Sequence, residues 1–85
     1  MIPELKEFVD VQEHLLRKNN HKYPWYLLGD DVLFSKLLKN VSELHELLLH
    51  REDPLYSNDD EIKETCADIA NYAMMIFDKI NEGTF

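Results

Sequence analysis

The sequence predicts an all-α fold: one domain over residues 1–85, an antiparallel helical hairpin or bundle of about three helices, completed by dimerisation. Three observations predict it. Apolar residues recur at helical spacing in three separate stretches. Two Gly and three Pro leave little room for β-turns or flexible linkers. The third stretch, from Asp59 onward, is almost wholly apolar in its second half, where Met74, Met75 and Phe77 span different sides. Two neighbouring helices of similar length do not easily cover such a surface, and a chain this short buries only a modest core by itself.

The first helix is expected over about Pro3 to Asn19. Pro3 suits the first turn, where its missing N–H is not needed, and Glu4 and Glu7 suit the positive end of the helix dipole. Leu5, Phe8, Val9, Gln12, Leu15 and Leu16 follow at helical spacing, and Arg17, Lys18 and Asn19-Asn20 read as its end. His21 to Gly29 reads as a connection in which Pro24 restrains Tyr23. Trp25 and Tyr26 are expected to cap one end of the core.

Asp30 or Asp31 is expected to cap a second helix over about Val32 to His50. Its wide apolar face runs from Leu33, Phe34, Leu37 and Leu38 to Val41, Leu44, Leu47 and Leu48. Asn40 lies at the edge of that face, Glu43 one step further out, and Glu46 beyond it on the polar side with Lys39. Asp53-Pro54 marks a turn. Asn58 followed by Glu61 fits a capping box, opening a third helix that reaches about Asn81, with Gly83 as the residue after its end.

Composition excludes several functions. Seventeen acidic residues against nine basic ones give a net charge of −8, which argues against a nucleic-acid surface. Cys66 is the single cysteine, so no intrachain disulfide and no cysteine-rich metal site is available. No apolar run approaches a membrane span of about 20 residues, and no secretion signal opens the chain. A cytoplasmic protein without membrane association is the expectation.

The residues with chemical potential sit on two helices. Glu61, Glu64, Asp68 and Asn71 form one stripe of the third helix, flanked by Thr65 and Tyr72. Asn40, Glu43 and Glu46 form a stripe of the second. Antiparallel packing would bring both to one cleft, and oxygen-only ligands suit Mg²⁺ or Mn²⁺ rather than zinc. Asp68 is the centre of this reading. Its neighbours Ala67, Ile69, Tyr72 and Met75 are largely apolar, so its carboxylate requires a metal, a proton or a partner. The structural alternatives are a pair with Lys36, Lys22 or Arg17, or a hydrogen bond to Asn71. Arg17, Lys18 and Lys22 with His21 are the densest positive cluster. They read either as a phosphate clamp with Trp25 stacking on a base, or as complements to the C-terminal dipole of the first helix.

The run Glu64-Thr65-Cys66-Ala67-Asp68-Ile69-Ala70-Asn71-Tyr72-Ala73-Met74-Met75-Ile76 resembles the last core helix of the all-α nucleoside triphosphate pyrophosphohydrolases, the MazG-like group. Asn40-Val41-Ser42-Glu43-Leu44 resembles that family's Glu-x-x-Glu helix, and Asn20-His21-Lys22 with Trp25 resembles the loop before it. The resemblance covers roughly residues 8 to 78 and is most specific from Ala67 to Met75. It implies Mg²⁺-dependent attack of water on a (d)NTP, giving a nucleoside monophosphate and pyrophosphate, in a homodimer or dimer of dimers. Carried over by position, the family's four carboxylates fall on Asn40, Glu43, Thr65 and Asp68, so two acids are absent. The resemblance therefore implies Glu43 and Asp68 as catalytic residues. It implies Asn40, Glu43, Glu64 and Asp68 as metal ligands, with Glu46 as a further candidate. Lys22, Trp25 and Asn71 are the implied substrate contacts, with Arg17 as a further one. Two alternatives stand beside it: a degraded relative that binds nucleotide or only assembles, and an unrelated helical interaction protein.

Overall fold

Pro3 opens the first helix, as its fixed φ and missing N–H favour; α1 spans Pro3–Lys18, with Glu4 in its first turn and Arg17 and Lys18 in its last. In the computed structural model, which describes residues 1–18, 25–52 and 57–82, two further helices follow: α2 (Asp30–Leu49) and α3 (Asp59–Glu82). A short 3₁₀ turn, Trp25–Leu27, precedes α2. Among the described residues there is no strand. Asn19-Asn20, Lys22, the Asp53-Pro54 turn and Gly83 lie outside them.

The starts of α2 and α3 differ from expectation in instructive ways. Gly29, rather than Asp30 or Asp31, is the N-cap, and its carbonyl accepts the Leu33 N–H at 3.1 Å with no side-chain cap. Both aspartates instead occupy the first turn, where the helix dipole still favours them. A Cβ at Gly29 would lie 2.6 Å from Asp31 Oδ1, so this close approach suits a glycine. At α3, Asn58 does hold the cap position, since its carbonyl accepts the Ile62 N–H at 2.9 Å. The reciprocal capping box is not formed. The Asn58 amide donates to the Leu47 carbonyl at 2.9 Å, and its Oδ1 is buried without a partner. The Leu47 carbonyl, which also accepts the His50 N–H at 3.3 Å, draws this side chain away from the start of α3.

Those contacts fix the pairing of α2 and α3. Asn58 joins the last turn of α2 to the start of α3, while Lys79, in the last turn of α3, meets Asp30 at 2.7 Å and donates to the Leu28 carbonyl. The two helices are therefore antiparallel. Lys79 is largely buried, so this ion pair fixes the two ends more firmly than the exposed Arg51–Asp59 pair at 3.7 Å.

Helix α3 is the middle element. Both α1 and α2 pack against it, and among the described residues α1 and α2 make no contact with each other. The core is correspondingly thin, with Leu15, Leu33, Ala67 and Met75 as its fully buried apolar residues. The expectation of a third helix buried all round is corrected at its C-terminal half: Phe77 and Ile80 are 68% and 56% exposed. No helix among the described residues is long and apolar enough to cross a membrane.

Candidate functional site

The α2–α3 packing brings part of each oxygen-rich stripe to one groove. A groove of about 440 Å³ between the helices is lined by Lys39, Ser42, Glu43, Glu46 and Leu47 of α2 and by Glu61 and Thr65 of α3. Asp68, half-buried, lies next along α3. Its carboxyl is held above the usual carboxylate range, chiefly because burial penalises the charge and then because Glu64 and Glu43 lie near. Burial, with the negative charge of Asp68 added, raises the Tyr72 hydroxyl as well.

Neither Arg17 nor Lys36 relieves Asp68, and Lys22, the third expected cation partner, lies outside the described residues. Among the described residues it enters no salt bridge: Arg17 pairs with Glu13 one turn back on α1 at 3.6 Å, and Lys36 makes no ion pair. Asn71 does not bond it either. Its side chain is 4% exposed and turned to α1, where the Gln12 amide donates to Asn71 Oδ1 at 3.1 Å and the Asn71 amide donates to the Gln12 carbonyl at 3.2 Å. The expected ligand and substrate residues are thus divided. Glu43, Glu46 and Thr65 share the α2–α3 groove. Glu64 lines a second groove, between α3 and Glu7, Asp10, Val11 and His14 of α1. Asn40 is half-buried on α2, one turn before Glu43.

Trp25 packs as the expected cap of the core. It is half-buried and its indole N–H donates to Asp78 Oδ2 at 3.0 Å, whereas Tyr26 is 58% exposed. Arg17 is exposed at the end of α1. Lys22 lies outside the described residues.

The donor chemistry at the cleft is that of a hard cation: carboxylates with the Ser42 and Thr65 hydroxyls, and no sulfur. Its spacing is looser. Among the described residues no group of three His, Cys, Asp or Glu side chains stands close enough together to hold a metal ion. Holding one would require rotation of the long glutamate side chains around the more constrained Asp68. Thr65 is buried, and its small hydroxyl stands where the MazG-like pattern has an acid.

Three groups went unrecognised in the sequence. Lys39 is the cation that lines the acidic groove itself. Gln12 is the partner of Asn71, and Asp78 is the partner of Trp25. Gln12 carried a signal, since an amide inside an apolar helical stripe needs a polar mate when that stripe is buried. Comparison with family models, with curated proteins and with solved structures finds no match to this chain.

Proposed function

We propose that the chain is a MazG-like nucleoside triphosphate pyrophosphohydrolase whose α2–α3 cleft takes a (d)NTP with Mg²⁺ or Mn²⁺. The observation that supports it is Asp68, a half-buried carboxyl raised by burial and by two neighbouring glutamates, with no cationic side chain paired to it among the described residues. Three neighbouring carboxylates repel one another, and a divalent cation would relieve that repulsion. Glu43 and Asp68 would hold it, joined by Glu64 or Glu46 after rotation. An ion held there would supply neutralisation of phosphate charge and acidification of a water. The protein's own part is positional: Asp68 is half-buried on α3, Glu43 lies near it, and Lys39 supplies a positive charge at the groove.

A second reading, a nucleotide-binding or assembly module without turnover, is favoured by Asn40 and Thr65 in place of acids and by the engagement of Asn71 with Gln12. One assay series separates the two. The protein is incubated with standard and modified (d)NTPs and Mg²⁺ or Mn²⁺, and pyrophosphate is measured. Turnover that is lost in Asp68→Ala supports hydrolysis. Turnover seen only after Asn40→Glu with Thr65→Glu identifies a degraded site. No turnover and no metal-dependent thermal shift in any variant rejects the hydrolase reading.

A further inference from the structure

The corner between α1 and the first turns of α3 is a groove with an apolar floor and an acidic rim. Along α1, Glu4, Glu7, Val11 and His14 recur at i, i+3, i+7 and i+10, which is one flank of the helix. That flank overhangs α3 and encloses two hollows. One, of about 320 Å³, lies between Glu4, Phe8 and Val11 of α1 and Ile62 and Cys66 of α3. The other, of about 380 Å³, lies between Asp10, Val11 and Leu15 of α1 and Asp60 and Glu64 of α3. Glu7, Val11 and Lys63 line both, so the hollows adjoin. Among the described residues α1 packs on α3 alone, and no other helix covers this flank.

Floor and rim together define what fits. Phe8, Val11, Ile62 and Cys66 are only half-buried, so part of the apolar floor faces water. The α2–α3 groove is also acidic, but Leu47 is its one apolar lining residue, which offers an apolar segment little to bury. The rim carries the carboxylates of Glu4, Glu7, Asp10, Asp60 and Glu64 against the single ammonium of Lys63. Asp10 pairs with Lys6 at 3.7 Å; the other four form no ion pair among the described residues. Such a rim repels nucleic acid, anionic lipid and a second copy of this chain of net charge −8, and attracts lysine and arginine. The α1 linings of the two hollows are displaced by three to four residues, one helical turn of about 5 Å. Apolar side chains at i and i+4 of a helix lying along α1 therefore enter successive hollows.

We propose that the α1–α3 groove docks a basic amphipathic helix of a different protein. Its apolar stripe covers Phe8, Val11 and Ile62, and its lysines or arginines meet Glu4, Glu7, Asp10 and Asp60. This inference is independent of the nucleotide reading, since neither Glu43 nor Asp68 takes part, and it holds even where no hydrolysis is found. Glu64, the one residue shared with the proposed metal ligands, is left unchanged in the test.

The probe is a synthetic peptide of about fifteen residues, with leucines at i, i+4, i+7 and i+11 and lysines elsewhere, labelled for fluorescence anisotropy. One control peptide has the same composition with the spacing scrambled; the other keeps the spacing with glutamate for every lysine. The full chain carries its own reporter, the Cys66 thiol in the groove floor, whose alkylation by N-ethylmaleimide is timed. The periodic lysine peptide is expected to bind saturably, more weakly as salt rises, and at least about tenfold more tightly than either control. At saturation it is expected to slow alkylation of Cys66 by at least about fivefold. Glu4→Gln with Glu7→Gln is expected to weaken binding by about tenfold, with helicity kept by circular dichroism, because both side chains are exposed. Glu13→Gln with Glu52→Gln makes the same charge change at exposed sites outside the groove and is expected to alter binding by less than about twofold. A scrambled peptide that binds as tightly as the periodic one overturns the helical occupant, and a glutamate peptide that does so overturns its charge. Binding that leaves Cys66 alkylation unchanged, or that both double variants weaken equally, overturns the location. No saturable binding of the periodic lysine peptide overturns the proposal.

Discussion

Two polar residues three positions apart on α3 meet opposite environments. On the α1 side, Asn71 is almost fully buried and both ends of its amide are bonded to Gln12. On the α2 side, Asp68 is half-buried, faces two other carboxylates and pairs with no cation among the described residues. A neutral amide that finds a complementary amide is a fastening. A carboxylate that gathers like charges around it weakens the fold it sits in and gains from a ligand of opposite charge. One helix thus has a structural polar contact on one side and a chemically unsatisfied one on the other.

The largest expected effect tests whether the α2 side depends on packing rather than on its charges. Leu33 is fully buried, and Leu33→Ala is expected to destabilise by about 2–5 kcal/mol, read as a shift in the urea midpoint. A shift no larger than that of an exposed-site variant such as Ser35→Ala would show that α2 is not fastened there.

Next comes ligand linkage. If Mg²⁺ or Mn²⁺ binds at the Asp68 side, a hundredfold excess over Kd stabilises by about 2.7 kcal/mol, and the thermal shift disappears in Asp68→Ala but survives in Asn71→Ala. Equal loss in both variants would erase the distinction between the two sides.

Asn71→Ala is expected to destabilise by about 1–3 kcal/mol, because it strands the half-buried Gln12 groups; at about 4–8 °C per kcal/mol for a domain of this size the melting temperature falls clearly. Gln12→Ala should cost a similar amount, and the double variant less than the sum, as expected for two halves of one contact.

The smallest effect has the opposite sign. The folded state raises the Asp68 carboxyl, so it favours the protonated form. That contribution is fully present below the unfolded carboxyl's titration and is lost as pH rises through the raised folded value. Asp68→Asn keeps the protonated-like shape without the charge. Its melting temperature is therefore expected to exceed that of wild type at about pH 7 and to match it at about pH 3. A lower melting temperature at neutral pH would mean that the carboxylate is paired after all.

Much of this molecule is determined locally. Apolar spacing, Pro3, and the acidic first turns with basic last turns of α1 and α3 place the helices within a residue or two, because these signals act along one helix between neighbours three or four apart. The same periodicity placed Glu43 and Glu46 on one side of α2, whereas Glu64, expected on the stripe facing α2, lines the groove against α1. What tertiary structure alone decided were the choices between competing partners. Asn58 abandoned its own helix start for the Leu47 carbonyl, Asn71 turned from Asp68 to Gln12, and Trp25 met Asp78 some fifty residues away. A side chain at the edge of a stripe has two neighbours within reach, and helical spacing weighs them equally. The crossing of a second helix breaks that tie by bringing one hydrogen-bonding group to within about 3 Å and leaving the other in water.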